Sequence, residues 1–96
     1  MEEYDIIRIL KALSDKTRQD ILEMLIEDEM NVTDICSLFR VSQPTVSHHL
    51  QILKGCELVN FRKEGKNIYY FARQDTVNGA FGVIARKLRV RIIRKK

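Results

Sequence analysis

The stretch Asn31–Leu53, NVTDICSLFRVSQPTVSHHLQIL, predicts two helices joined by a tight turn. Thr33 is a suitable N-cap for the first helix, since its hydroxyl can accept a hydrogen bond from a free backbone N–H. The letters FRVS form the turn. Ser42 then caps a second helix that carries Pro44 in its first turn, where a missing N–H is harmless. The pattern indicates a helix-turn-helix over about residues 33–54.

The second helix, called the recognition helix below, has one apolar and one polar side. At 3.6 residues per turn, Val46, Leu50 and Leu53 share the apolar side. A solvated helix face normally carries Glu and Lys, but this polar side carries uncharged hydrogen-bonding groups. Such groups bind DNA bases and phosphates without repelling the polyanion. We therefore predict a DNA-reading face made of Arg40, Ser42, Gln43, Thr45, Ser47, His48 and Gln51.

Position along the recognition helix predicts two roles. Side chains at its N-terminus, up to Thr45, should meet a phosphate or the nearest base, because free N–H groups and the helix dipole attract an anion there. Ser47, His48 and Gln51 should reach the major groove. His49 falls near the core side, so we expect it to be bonded within the domain. Adjacent histidines point about 100° apart on a helix and chelate one ion poorly, so no metal site is predicted.

Two strand-like runs follow, LVNFRK at 58–63 and NIYYF at 67–71. They flank a turn in which Gly65 suits a positive φ, and they predict a β-hairpin over about 58–72, called the wing below. A basic tip close to the recognition helix favours phosphate contacts, although exposed hairpin tips are often charged. The basic side chains are Arg62, Lys63 and Lys66.

The order helix, helix-turn-helix, basic hairpin and closing helix resembles the ArsR family of winged-helix bacterial and archaeal repressors. The runs that carry the resemblance are ALSDKTRQDIL, VSQPTVSHHLQIL and EGKNIYYFA, with Lys16 where the family usually has proline. The resemblance implies a mainly α fold with a small β-hairpin, a winged helix-turn-helix. It also implies a homodimer on palindromic operator DNA that a metal ion, a metalloid or an oxidant releases.

Length and charge are consistent with this interpretation. A chain of 96 residues forms one domain, 1–96, with a thin core. Residues 1–35 carry ten acids and four bases, whereas 36–96 carry three acids and thirteen bases, so the second part should face a polyanion. A basic end also suits solubility, RNA or anionic lipid. No apolar run reaches the roughly 18 residues of a membrane span, and the acidic N-terminus differs from a secretory signal, so we expect a cytoplasmic protein without a membrane partner.

Apolar stripes near both ends predict dimerisation helices at about 4–13 and 75–91. The stripes consist of Ile6, Ile7, Leu10, Leu13, Val77, Phe81, Ile84 and Leu88. Small residues on the closing helix would let a partner helix approach, namely Gly79, Ala80, Gly82 and Ala85. The alternative is that these stripes only cover the core of the monomer. In a two-fold dimer the recognition helices would lie one DNA turn apart, roughly 34 Å.

The inducer cannot be named from the sequence. Arsenic-sensing relatives carry Cys-Val-Cys-Asp-Leu-Cys where this chain has Asn31–Cys36, so only the last cysteine remains. Zinc-sensing relatives use Asp and His pairs on the closing helix, yet nothing after Asp75 is Asp, Glu, His or Cys. We therefore expect no metal and no cofactor. Cys36, near a capped helix start, and Cys56, in the turn after the recognition helix, are either inert packing residues or a thiol switch.

An enzyme is disfavoured, because no carboxylate pair, glycine-rich phosphate loop or nucleophile–base set is present in the sequence. We predict a sequence-specific DNA-binding transcriptional regulator. The alternative is a winged-helix module that binds protein, or DNA without sequence preference.

Overall fold

The computed structural model describes residues 4–90, in which the hairpin packs with five helices. The elements are α1 (Ile6–Ala12), α2 (Lys16–Glu27), α3 (Val32–Phe39), α4 (Gln43–Gly55), β1 (Val59–Glu64), β2 (Asn67–Ala72) and α5 (Gln74–Leu88). This order confirms the predicted mainly α fold with a helix-turn-helix, here α3 and α4, and a wing, here β1 and β2.

The two helix starts of the helix-turn-helix are capped by side chains. Ser42 accepts a hydrogen bond at the start of α4, and Pro44 lies in the first turn, as predicted. The predicted cap at Thr33 is wrong, because Asn31 accepts the capping bond of α3 at 2.8 Å. Asn is at least as good an N-cap as Thr, and the earlier start places Val32 against the core.

The terminal helices are shorter than predicted. The sequence predicts the closing helix at about 75–91, whereas α5 ends at Leu88, because Arg89 adopts the left-handed conformation that closes a helix. Position 91 lies outside the described residues. The first helix occupies Ile6–Ala12 instead of 4–13.

One hydrophobic core joins the helices to the base of the wing. The apolar side of α4 is fully buried in this core, which turns the polar side of the same helix outward, as predicted. Each large side chain buried in this way stabilises the fold by about 1.5–3 kcal/mol. The main core residues are Ile9, Ile21, Leu22, Leu25, Ile35, Val46, Leu50, Leu53, Leu58, Val59 and Ala80.

The wing is an antiparallel pair whose register runs from Val59 opposite Ala72 to Glu64 opposite Asn67. Gly65 in its turn has φ 61°, as the sequence predicted. The loop between α2 and α3 joins this hairpin through Met30. Its N–H donates to the Tyr70 carbonyl at 3.0 Å, and the Tyr70 N–H donates back at 2.8 Å. The wing is therefore attached to the helical body by backbone hydrogen bonds as well as by the chain itself.

Each terminal helix has apolar residues on two sides. Of the residues in the predicted stripes, Ile6, Leu13 and Val77 are half-buried and pack against the core of the monomer. Ile7 is 65% exposed, Phe81 40% and Leu88 71%. Each predicted apolar stripe therefore has two parts. Some of its residues pack against the core of the monomer, and the others are exposed on the surface. Among residues 4–90 no helix has the length and apolar character that crossing a membrane requires.

Two of the four small residues assigned to a partner helix serve this chain instead, which corrects that prediction. Ala80 is fully buried, and Gly79 lies against Tyr4, whose phenol occupies the space that a Cβ would need. Gly82 and Ala85 are half-buried. The requirement for small side chains at Gly79 thus comes from the packing of α5 on the residue that precedes α1.

Candidate nucleic-acid interface

The predicted reading face is largely on the surface. Ser47 is half-buried, because it lies at the edge of the buried side of α4. The other six predicted residues are exposed, namely Arg40, Ser42, Gln43, Thr45, His48 and Gln51. All seven residues lie either in the turn before α4 or on α4 itself. Their contact with DNA remains a prediction.

The N-terminus of α4 holds a small hydrogen-bond cluster. The Thr45 N–H donates to Ser42 Oγ at 3.4 Å, and the Ser42 and Thr45 hydroxyl oxygens lie 2.9 Å apart. Ser42 therefore caps the helix with the same oxygen that was expected to meet DNA. The exposed Gln43 side chain and the remaining N–H groups of the first turn are the groups there that suit a phosphate.

His49 anchors the recognition helix to the rest of the domain. Arg18 Nη1 lies 3.2 Å from His49 Nδ1, and Arg18 Nε donates to the Ala12 carbonyl at 2.6 Å. Because a guanidinium only donates, His49 Nδ1 must accept. Burial lowers the pKa of His49, opposed by the charge of Asp15, while the positive charges of Arg18 and His48 lower it further. The prediction that His49 is bonded within the domain is confirmed.

Sequence reasoning missed Arg18 as the partner of that histidine. It lies in the run ALSDKTRQDIL that carries the family resemblance, but no pattern within that run indicates a contact 31 positions away. The Asp15 carboxylate caps α2 by accepting from the Arg18 N–H at 3.0 Å. That backbone hydrogen bond lowers the pKa of Asp15. The α1–α2 turn is thus tied to the inner side of α4.

The basic tip of the wing divides into two kinds of residue. Lys63 and Lys66 are exposed, and no ion pair engages either of them within residues 4–90. Arg62 is engaged by the chain's own acids. Its Nε lies 2.6 Å from Glu29 Oε1, and its Nη1 lies 2.5 Å from Glu64 Oε2. These hydrogen bonds, that of Glu64 first, raise the pKa of Arg62.

Aromatic rings complete the links between the wing and the helices. The Arg62 guanidinium lies 4.9 Å from the centroid of the Tyr69 ring. On the recognition helix, Lys54 Nζ lies 5.3 Å from the centroid of Phe61, which in turn stacks at a tilt against Tyr70. Cation–π contacts at exposed sites contribute about 0.5–1 kcal/mol each. Sequence reasoning missed these contacts, because each joins residues that are distant along the chain or on opposite strands.

The two cysteines occupy different environments, and both are free thiols. Cys36 is half-buried in the middle of α3, five residues after the Asn31 cap. Cys56 is buried at the C-cap of α4, where its Sγ donates to the carbonyls of Leu53 and Ile52 at 3.5 and 3.6 Å. Burial raises the pKa of the Cys56 thiol, which disfavours the reactive thiolate.

Metal-ligating groups are dispersed in this fold. Within residues 4–90, no three His, Cys, Asp or Glu side chains come together in an arrangement that would hold a metal ion. The rings of His48 and His49 have centroids 6.0 Å apart and planes tilted by 50°.

A helix-turn-helix with an exposed polar recognition helix and a basic hairpin behind it defines a winged helix-turn-helix DNA-binding protein. The sequence family described as "Bacterial regulatory protein, arsR family" matches residues 15–60. The chain is 40% identical over 74 residues to the transcriptional repressor SdpR of Bacillus subtilis, which covers 73% of this chain and 82% of that relative. It is 41% identical over 70 residues to the arsenical resistance operon repressor of Staphylococcus aureus, with 73% and 67% covered.

The fold comparison agrees. A homodimeric winged helix-turn-helix DNA-binding domain from Mycobacterium bovis superposes with a TM-score of 0.72 at 29% identity, covering 95% of this chain and 87% of that domain. The chain belongs to the ArsR family. The members of this family are transcriptional regulators and not enzymes.

Proposed function

We propose that this chain is a sequence-specific transcriptional repressor that inserts α4 into the major groove of operator DNA. The observation that carries the proposal is the division of α4 between a fully buried apolar side and an exposed, uncharged polar side next to a basic wing. Uncharged amide, hydroxyl and imidazole groups read base edges, whereas lysine and arginine on the flanks bind phosphates. The relatives named as repressors support the direction of regulation.

The residues of the interface take three roles in this proposal. His48 and Gln51, with Ser47 at the edge of the face, contact base edges. The residues assigned to phosphates are Arg40, Gln43, Thr45, Lys63 and Lys66. Ser42 caps α4 and so presents the N–H groups of the first turn. Arg62 positions the wing, because its guanidinium is held by two carboxylates and a ring of the chain itself.

The proposed active form is a homodimer built from α1 and α5. Leu10 is 46% exposed beside Phe81, and both line an open apolar groove of about 450 Å³ together with Leu22 and Ile26 of α2. Burying such a surface stabilises a small chain whose own core is thin. The homodimeric Mycobacterium bovis domain supports this assembly. A two-fold dimer requires a palindromic operator with half-sites about 10 base pairs apart.

Release from DNA is proposed to be independent of metal ions. Thiolate metals need two or more soft ligands, and where arsenic-sensing relatives carry three cysteines this chain keeps only Cys36. If the protein responds to oxidants, the half-buried Cys36 is the more accessible thiol, because Cys56 is buried with a raised pKa. Oxidation in the middle of α3 would disturb the helix that supports the recognition helix.

The direct test is selection of binding sites from a randomised DNA duplex by the wild-type chain and by Gln51→Ala. We expect the wild type to enrich a two-fold symmetric motif, and the variant to lose preference at one base pair in each half-site. Analytical ultracentrifugation of the complex should give two chains per duplex. Enrichment of no motif, with affinity for all sequences falling in parallel as salt rises, would indicate a DNA-coating protein and contradict the proposal.

A further inference from the structure

A cavity of about 190 Å³ lies where three helices meet, at the C-terminal end of the recognition helix. Its walls come from the start of α1, the end of α4 with the following turn, and the start of α5. Pockets for drug-sized ligands measure about 300–1,000 Å³, so this cavity suits a smaller molecule. None of the residues assigned to DNA contacts lines it.

One wall carries a guanidinium that forms no ion pair with any carboxylate of residues 4–90. Within residues 4–90, the Arg8 side chain makes no ion pair and no hydrogen bond, although a guanidinium carries about five N–H donors. Gly55, at the end of α4, lets this group approach, since a Cβ there would lie 2.9 Å from Arg8 Nη2. The cation is therefore seated against the last turn of the recognition helix and has donors left over.

The opposite wall adds a second cation and a hydroxyl. Arg73 lines the cavity with its guanidinium oriented by Asp75 at 2.9 Å and Glu57 at 3.5 Å. Thr76, only 7% exposed, also lines it, and its hydroxyl makes no hydrogen bond within residues 4–90. No buried side-chain oxygen of the described residues lacks a hydrogen-bond partner, so this hydroxyl is open to solvent, and it can donate to a ligand in the cavity.

The acids of the cavity are already engaged. Asp5 accepts a hydrogen bond from the Arg8 N–H at 3.0 Å, and Glu57 faces Arg73. The Cys56 thiol also lines the wall, and its raised pKa keeps it uncharged at neutral pH, so it does not repel an anion. The Arg8 guanidinium and the Thr76 hydroxyl can therefore donate hydrogen bonds to a ligand in the cavity, and Arg73 lies beside them.

We propose that this cavity binds a small oxyanion, a carboxylate or a phosphate, between Arg8 and Thr76. The anion would bridge α1 and α5 to the last turn of α4, so its occupancy would change the angle at which α4 meets DNA. This consequence, unlike the binding itself, rests on the proposed function as a DNA-binding repressor.

Binding is tested without DNA, on the full chain, by two-dimensional amide NMR during titration with sodium phosphate or sodium acetate. Chloride holds the ionic strength constant. We expect saturable shifts at the amides of Arg8, Gly55, Cys56 and Thr76 in at least one titration. Arg8→Gln and Thr76→Val should each weaken that binding about tenfold, as the loss of a hydrogen bond to a charged group predicts.

Arg86→Gln is the matched control, because it removes the same charge from an exposed position of α5 outside the cavity. It should bind the anion as the wild type does. No saturable shifts with either anion, shifts confined to the wing and the start of α4, or equal binding by Arg8→Gln and the wild type would each overturn the cavity site.

Operator affinity with and without the bound anion, at one ionic strength, tests the consequence separately. We expect the anion to change the affinity of the wild type and to leave that of Arg8→Gln unchanged. An unchanged wild-type affinity despite saturation by NMR would overturn the coupling to α4. Loss of all DNA binding, with the NMR result intact, would count against the proposed function alone.

Discussion

Arg62 gives a sharp test of whether a basic residue contacts phosphate or positions the wing. Its guanidinium is held by Glu29 and Glu64 and lies over Tyr69. We expect Arg62→Gln to loosen the wing and lower operator affinity without removing a phosphate contact. The slope of log affinity against log salt should therefore stay unchanged. Lys63→Gln, by contrast, should flatten this slope by about 1.8, because the homodimer loses one phosphate contact, worth about 0.9, in each subunit.

The structure sets the size of each effect. The Arg62 and Glu29 side chains are 46% and 43% exposed, and exposed ion pairs contribute about 0.2–1 kcal/mol to the free energy of unfolding. A double-mutant cycle on this pair should give a coupling of that size in urea unfolding. A slope change of about 1.8 alters the ratio of operator affinities at 50 and 200 mM salt by about 12-fold. Fluorescence anisotropy with a labelled operator resolves such a ratio.

Glu29→Gln separates the two roles by sign. If Arg62 positions the wing, Glu29→Gln weakens operator binding as Arg62→Gln does. If Arg62 instead leaves Glu29 for a phosphate, the same change strengthens binding. Glu27→Gln is the matched control for the loss of one negative charge, because Glu27 is exposed and makes no ion pair within residues 4–90. Tighter binding by Glu29→Gln than by this control, or a flattened slope for Arg62→Gln, would refute the positioning role.

The recognition helix and the cysteines allow three more measurements. His48→Ala should lower specific affinity by about 1–3 kcal/mol while the melting temperature stays unchanged, and an unaltered affinity would place the reading face elsewhere. Burial is the main cause that lowers the pKa of His49 in the folded chain, so the unfolded chain binds the proton at a higher pH. Neutral His49 therefore contributes to the free energy of unfolding above about pH 6.5, and this contribution should be lost as the pH falls through the folded pKa. Urea unfolding should show a weaker pH dependence for His49→Gln, and identical pH profiles would contradict this cause. Zn(II), Cd(II) and As(III) should leave the operator complex intact. If peroxide releases the wild type, it should not release a Cys36→Ser, Cys56→Ser variant. Release of the wild type by a metal, or equal responses to peroxide, would contradict these two expectations.

The architecture was accessible from sequence because local patterns and the core agree. Val46, Leu50 and Leu53 recur at helical spacing, and all three are fully buried. Ser42 and Gly65 mark a helix start and a turn through their own backbone chemistry, without help from distant residues. These features predicted the order of the elements and the outward side of the recognition helix.

The rest depended on contacts that no local pattern encodes. Arg62 was assigned to phosphate from its place at the wing tip, but Glu29, 33 positions earlier, lies within hydrogen-bond distance of it. The small side chain of Gly79 suggested a partner helix, whereas Tyr4 of the same chain occupies that space. Cys36 was placed near a helix end because the cap was assigned to Thr33. For Arg62 and Gly79, contacts between distant segments decided the environment, whereas for Cys36 the choice between two neighbouring caps decided it.

The pair of backbone hydrogen bonds between Met30 and Tyr70 has a consequence for engineering and for the divergence of related sequences. The preceding residues, Asp28 and Glu29, are exposed and polar, so this loop resembles a site where inserted segments are tolerated. An insertion there would shift Met30 out of register with β2 and tilt the wing relative to α4. The turn at Gly65 has open space around it and can lengthen at little cost. Length variation, and any fused reporter, should therefore accumulate at the tip of the wing and not at its base.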